Sequence, residues 1–468
     1  MSFLILHLQA IFVENICLMK QFISKYNVQG PRYTSYPTVP YWEEENFSRW
    51  AWITSLTEAV SENNPISLYI HLPFCESLCT FCACNKRITK QHSVESPYIQ
   101  AVLKEWRLYV ETLGFMPIIE EIHLGGGTPT FFSPYNLRIL IEGIFDLAYK
   151  AKKYEFSFEG HPNNTTRAHL EELYNLGFTR VSYGVQDYNP KVQKAINRIQ
   201  PFENVKETTE KAREIGYTSV GHDLIFGLPF QTLEDIQFSI EKTVALKPDR
   251  IAFYSYAHTP WIKGNGQRGF KDEDLPSAEN KRQQYEYGKA LLEANGYLEI
   301  GMDHFALPED PLFKAMEDKT LHRNFMGYTT TQAKQLIGLG VSAISDSWSA
   351  FAQNEKKLED YYMHLRNNQL PVFRGHLLNK EDLSIRQHIL NLMCKFETSW
   401  GKDDMYNTHM GDILIALQEM QKDGLIELCS NHIKVHEAGK AFIRNVCMAF
   451  DLRLKAKTPD KKIFSMTI

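Results

Sequence analysis

Ile66-Ser67-Leu68-Tyr69-Ile70-His71-Leu72-Pro73-Phe74-Cys75-Glu76-Ser77-Leu78-Cys79-Thr80-Phe81-Cys82-Ala83-Cys84 carries an apolar, β-rich run straight into four cysteines within ten residues. Its first seven residues read as a strand. Cys75, Cys79 and Cys82 are spaced C-x3-C-x2-C, and a loop that short can wrap three thiolates around one corner of a cubane. A [4Fe–4S] cluster held by three cysteines keeps one iron without a protein ligand, free to take a substrate or cofactor.

A structural zinc site is the competing reading, with Cys84 as fourth ligand. Such sites usually draw on two separated pairs, so that the metal staples two pieces of chain. Here all four cysteines share one loop, and Cys17, Cys394, Cys429 and Cys447 are scattered singly. A disulfide framework fits less well still, because a chain of 468 residues can build its own core.

Hydrophobic content of 43% and charged content of 23% are ordinary for a globular chain with two or three domains. A net charge of -5 gives no general attraction for nucleic acid or an anionic membrane. Any anionic substrate therefore needs a local group of cations. Sparse cysteines and an exposed-looking cluster loop predict a reducing, cytoplasmic setting. Residues 1–18 are apolar but lack a basic start and a cleavage site, and Glu14 and Asn15 interrupt them. They are too short for a membrane span and are set aside as a candidate mis-called start.

From residue 66 onward, strands alternate with helical patterns. Strands are predicted at Ile66–Leu72, Ile119–Leu124, Tyr154–Glu159, Arg180–Gln186, Ser219–Phe226 and Arg250–Tyr256, with a helix over about 97–113. Six β/α units imply an α/β fold with a parallel sheet, closed or partly closed as a barrel. Cys75, Gly126, Glu159, Gln186, Asp223 and Ala257 all fall at or just past strand C-terminal ends, the rim where such folds build active sites. Any one of them alone would be ordinary, since Asp and Gly are common in βα loops. After residue 300, the segments 301–306 and 321–330 are rich in His, Arg and aromatics, and 338–345 is glycine-rich. Residues 377–468 read as amphipathic helices with one hairpin at 424–435. The expected division is an N-terminal arm at 19–60, a catalytic (β/α)6 domain at 61–360 and a helical domain at 370–468.

Tyr69 through Cys75 with the C-x3-C-x2-C spacing, followed by Gly-Gly-Gly-Thr-Pro at 125–129, resembles the radical S-adenosylmethionine (SAM) superfamily. Gly30-Pro31-Arg32-Tyr33-Thr34-Ser35-Tyr36-Pro37-Thr38, Cys82 through Lys86, Tyr183 through Asp187, Asp223 through Pro229, Gly301 through Ala306, His322-Arg323-Asn324 and Ile443 through Met448 narrow it. Over nearly everything after residue 19 the chain resembles the oxygen-independent coproporphyrinogen III oxidases of haem biosynthesis.

The resemblance implies a partial radical-SAM barrel whose cluster is held by Cys75, Cys79 and Cys82, with Cys84 off the iron. It implies a SAM bound to the open iron beside Tyr69, Phe81, Gly126, Glu159 and Ile344. By themselves, Tyr69 and Ile344 would read as core residues. A second SAM site would map to Gly127, Thr128, Gln186, Arg198, Asp223 and Ala257, a pocket that could instead take the porphyrinogen. The implied reaction cleaves SAM to a 5′-deoxyadenosyl radical, which takes a hydrogen from the β-carbon of a propionate. Loss of carbon dioxide and an electron leaves a vinyl group. A second round converts coproporphyrinogen III to protoporphyrinogen IX.

Four propionates on the substrate call for cations, and Arg32, Lys86 and Arg323 are the candidates within family motifs. A reductant such as flavodoxin or ferredoxin, and a monomeric chain, complete the expectation. One departure is Gly160-His161-Pro162, where the family usually has Val-Asp-Pro after the glutamate. A related haem-binding chaperone is the alternative, but its His-Asn-x-x-Tyr-Trp motif is replaced here by His322-Arg323-Asn324-Phe325-Met326-Gly327-Tyr328. That chaperone also lacks the Cys84-Asn85-Lys86 run and the arm from Pro31 to Thr38.

Overall fold

Ile66–Leu72 (β1) is buried at every position but Tyr69, as a strand is when helices cover one face of a parallel sheet and the barrel interior fills the other. The computed structural model describes residues 21–261, 266–267, 269–402, 404, 409–457 and 463–467; residues 1–18, set aside above, lie outside them. Five more strands follow: Ile118–Gly126 (β2), Tyr149–Gly160 (β3), Phe178–Gln186 (β4), Ser219–Phe226 (β5) and Arg250–Ser255 (β6). Glu95–Leu113 (α1), Pro134–Phe145 (α2), Arg167–Asn175 (α3), Phe202–Ile215 (α4) and Leu233–Ala245 (α5) bridge them in turn, and Ala278–Ala294 (α6) follows β6. Local signals set their ends. Thr166 and Thr232 form capping boxes at the starts of α3 and α5, and left-handed Gly114 and Gly216 stop α1 and α4.

Strands β1 to β6 pair in parallel and in sequence order, so every strand's C-terminal end lies on one rim. The sheet then runs on, to twelve strands. Leu336–Leu339 pairs parallel with the outer side of β1, and Ile344–Asp346, Ala350–Asn354 and Val372–Leu377 continue antiparallel. At the far side, His304–Ala306 pairs with β6 and Leu298–Gly301 forms the edge. Among the described residues the two edges do not pair with each other, so the barrel is partial. The six predicted parallel strands all form. The six short strands after residue 297 were not predicted, because each is only three to six residues long and takes its place by pairing rather than by pattern.

A charged layer fills the lower barrel. Arg180 lies 3.3 Å from Glu155, and Arg250 bonds Asp310 at 2.8 Å. Glu121 accepts hydrogen bonds from Ser67, Thr329 and Thr331 at 2.6, 2.7 and 2.9 Å. Thr329 ends a hairpin, His322–Asn324 with Gly327–Thr329, and Thr331 follows it; the hairpin's turn residue Phe325 meets Tyr69 edge-on at 5.0 Å. That hairpin stands along the open side of the barrel.

The C-terminal region centres on Lys380–Lys395 (α7), Met410–Lys422 (α8) and Ile443–Phe450 (α9). The expected hairpin forms from Ile426–Leu428 and His432–Val435, joined by a third strand, Glu397–Ser399. The arm is shared between two cores. Trp52 and Leu56 of the helix Arg49–Ala59 join the barrel core, whereas Tyr26, Tyr33 and Tyr36 join the C-terminal one. Buried Arg444 fixes the arm by donating to the carbonyls of Gly30, Pro31 and Met466. Arg444→Met leaves these acceptors unmatched and is expected to cost about 3 kcal/mol. Denaturant unfolding measures the loss, and limited proteolysis should cut faster between residues 26 and 36.

Candidate active site at the barrel mouth

Pro73 ends β1, and Phe74–Cys75 pairs with Arg87–Ile88 to close the cysteine loop on itself. The loop between is held mainly from outside. Thr80 donates through its backbone N–H to Ile196 and through its hydroxyl to Ala195, at 2.9 and 3.0 Å. Asn197 donates to the Leu78 carbonyl at 2.7 Å. The Gln267 amide bridges the carbonyls of Phe81 and Ala257 at 3.1 and 3.0 Å. The loops after β4 and β6 therefore shape a segment that begins after β1.

Cys75, Cys79, Cys82 and Cys84 are all free thiols. The Thr128 hydroxyl donates to Cys75 Sγ at 3.4 Å, yet burial still pushes that thiol up to about 11. Arg198 Nη1 reaches Cys79 Sγ at 3.7 Å. Cys82 is drawn toward the thiolate, first by a hydrogen bond from Cys84 and then by the nearby Lys86 and Arg198 charges, against the effect of burial. Its partner Cys84 is correspondingly raised and keeps its proton. Lys86 Nζ donates to the carbonyls of Cys82 and Cys84 at 3.0 and 3.3 Å, so this candidate substrate cation is engaged with the loop.

Glycines bring the next strand end close. A Cβ at Gly126, where φ is +112°, would come within 2.6 Å of the His71 ring, and one at Gly127 within 2.6 Å of the Pro73 backbone. The Gly126 N–H donates to Glu159 at 3.2 Å. Burial would raise the Glu159 carboxyl, but His123, 3.5 Å away, and the Gly126 amide outweigh it and hold the group low and ionised. Ser157 positions His123 at 2.8 Å, and the His123 ring stacks on Tyr69 with centroids 6.1 Å apart. Glu159 is thus enclosed by protein on most sides, while 46% of its side-chain surface still reaches solvent.

Asp223 shares this mouth. It accepts from Ser182 at 3.0 Å, and burial followed by repulsion from Glu159 pushes it up to about 7. Gln186 takes a left-handed turn, φ +69°, at the end of β4, next to a register shift between Gly184 and Gln186. Arg198 donates to the Gly184 carbonyl at 2.5 Å, while its buried Nε has no partner. Phe81 packs with Val192, Ile196 and Ile225. Ile344 lies against Gly338, the register partner of Tyr69. His161, the departure from the family pattern, is pushed down to about 3 by burial and then by Arg198, so it adds no positive charge. Two groups were missed by sequence reading. His123 sits two residues before Gly125 on the inward-facing alternation of β2, which a period-two count would have found. His71 bridges Tyr69 and the Asn85 carbonyl at 3.0 and 2.8 Å, and nothing in the sequence separates it from a core histidine.

The radical SAM superfamily model matches residues 69–242. The oxygen-independent coproporphyrinogen III oxidase of Escherichia coli strain K12 is 39% identical over 440 residues, covering 93% of this chain and 95% of that protein. Its namesake from Pseudomonas aeruginosa is 38% identical, with 92% and 94% covered. This chain belongs to the oxygen-independent coproporphyrinogen III oxidase family. The solved structure of coproporphyrinogen III oxidase from Escherichia coli, a radical SAM enzyme, superposes with a TM-score of 0.85 at 37% identity, covering 90% of this chain and 97% of that one. The chaperone alternative is not favoured by these relatives.

A [4Fe–4S] cluster and SAM are the family's cofactors, and the residues present suit them. Three free thiols share one loop, and among the described residues no three His, Cys, Asp or Glu side chains gather tightly enough for a single ion. Three thiols on one short loop are the ligand set of a cluster that keeps one iron open. Among the described residues no helix is long and apolar enough to cross a membrane.

Two outcomes are expected. Cys75→Ser, Cys79→Ser and Cys82→Ser should each lose the visible absorbance of the reconstituted cluster, and Cys84→Ser should retain it. Asp223 holds its proton more tightly folded than unfolded, so its stabilising contribution is full below about pH 4 and lost as pH rises through about 7. Asp223→Asn should therefore gain about 1–3 kcal/mol on the wild type between pH 5 and pH 8, read from denaturant midpoints without SAM.

Proposed function

We propose that this chain carries out the oxygen-independent oxidative decarboxylation of two propionates of coproporphyrinogen III to vinyl groups, giving protoporphyrinogen IX. The observation that carries this reading is the three-cysteine loop at the mouth of a side-opened barrel, within reach of Thr128, Arg198 and the Glu159 end of β3. When bound, the cluster and SAM supply a 5′-deoxyadenosyl radical able to take a hydrogen atom from an unactivated carbon. The protein's own residues bind, orient and exclude water.

In this reading Cys75, Cys79 and Cys82 hold the cluster. Tyr69, Phe81, Gly126, Glu159 and Ile344 surround the SAM on its open iron. The ionised Glu159 accepts from an ammonium or a ribose hydroxyl, and the glycines let a ligand approach the backbone. Gly127, Thr128, Gln186, Arg198, Asp223 and Ala257 line the adjoining pocket for a second SAM. There the free Nε of Arg198 meets a carboxylate, and Asp223, titrating near 7, can hold or release a proton. Residues 61–360 act as the catalytic unit and 370–468 as a mainly helical one whose first strand, Val372–Leu377, pairs into the barrel's sheet. A small one-electron carrier such as flavodoxin or ferredoxin supplies electrons to a monomer in the cytoplasm.

The test is anaerobic reconstitution and reduction, followed by addition of SAM and coproporphyrinogen III. Chromatography should show 5′-deoxyadenosine and protoporphyrinogen IX rising together, two deoxyadenosines per product. Deoxyadenosine without porphyrin product would reassign the substrate.

A further inference from the structure

Arg323 is a half-buried cation that meets no anion among the described residues. Its Nε and Nη1 lie inside the protein with no hydrogen-bond partner, and among the described residues it forms no ion pair. The neighbouring arginines do: Arg32 meets Asp303 at 3.0 Å, Arg386 meets Asp346, Arg250 meets Asp310 and Arg453 meets Asp382. Leaving a guanidinium desolvated and unmatched is costly, whereas a ligand carboxylate would satisfy it with charge-assisted bonds.

The surroundings are built to hold that side chain in place. Arg323 lies over the Tyr328 ring at 4.5 Å, and the Tyr328 hydroxyl is tied to the Met393 carbonyl at 2.9 Å. The His304 ring meets Tyr328 edge-on at 5.3 Å, and its Nδ1 is also unpartnered. Burial, then Arg323, pushes His304 down to about 3, so it is a neutral neighbour and supplies no counter-charge. Tyr33, Ser35 and Tyr36 of the arm line a cavity with Arg323, Arg386 and Met393. The one acid in it, Asp346, is already bonded to Arg386 at 3.1 Å.

Its position relates it to the mouth. Phe325, two residues on, packs against Tyr69, so the guanidinium's strand position lies on the order of 7 Å back along the open side of the barrel. We infer that Arg323 is a specificity-determining residue that binds a carboxylate of the substrate away from the reacting carbon, one of the two propionates that the product retains. This rests on the decarboxylation reading above and adds the residue that fixes which end of the tetrapyrrole faces Tyr69.

The test compares wild type, Arg323→Met and Arg323→Lys as full-length, cluster-loaded protein. Binding of coproporphyrin III, the stable oxidised form, and of its tetramethyl ester is followed by fluorescence, and turnover is measured alongside. Arg323→Met should weaken coproporphyrin III binding about ten- to hundredfold, with partial recovery in Arg323→Lys. The ester, which has no charge to offer, should bind all three alike, and the KM for coproporphyrinogen III should rise more than kcat falls. Unchanged affinity for the tetra-acid in Arg323→Met would overturn the inference. So would an equal loss with the ester, which would mark a merely structural role. A wild type that makes no protoporphyrinogen IX would remove the functional reading itself.

Discussion

Between Cys75 and Arg87 the chain has almost no regular structure, so its shape comes from the neighbours that hold it. Ala195, Ile196 and Asn197 after β4, and Gln267 with Ala257 after β6, provide most of those holds. They can do so only because six parallel strands bring their C-terminal ends to one rim. Three thiols, the glycine turn after β2 and the Glu159 end of β3 become neighbours for that reason. Loss of one hold would loosen the loop, while loss of strand register would scatter the whole site.

Charge at the mouth is divided by environment. Glu159 and Asp223 are carboxylates on strands separated by β4, yet His123 and the Gly126 amide keep the first ionised, and burial with repulsion from the first raises the second. Two acids with separated titration behaviour can take different roles at neutral pH. His161 stands beside Arg198 where the family usually has an acid, and burial keeps it neutral. The change therefore removes a negative charge from the rim without adding a positive one.

The open side of the barrel is furnished by segments distant in sequence. The hairpin 322–329 stands there, with Phe325 against Tyr69 and Thr329 bonded to Glu121. Arg32 on the arm meets Asp303 and the Ser255 carbonyl, and Arg444 anchors the arm to the C-terminal helices. Arm, hairpin and C-terminal region thus meet beside the barrel mouth.

The sequence by itself determined the six parallel strands, because each is a short run rich in β-branched and aromatic residues followed by a stretch of helical spacing. It also determined the cysteine spacing and the glycine turn, both local in the chain. Tertiary structure alone decided that the sheet extends to twelve strands, since three- or four-residue strands such as Leu336–Leu339 have no pattern to read. It decided as well that Lys86 is committed to the cysteine loop, Arg32 to Asp303 and, among the described residues, Arg323 to no acid. Three arginine and lysine side chains look alike in a sequence. Arg32 and Asp303 lie 271 residues apart in sequence, and only folding brings them together.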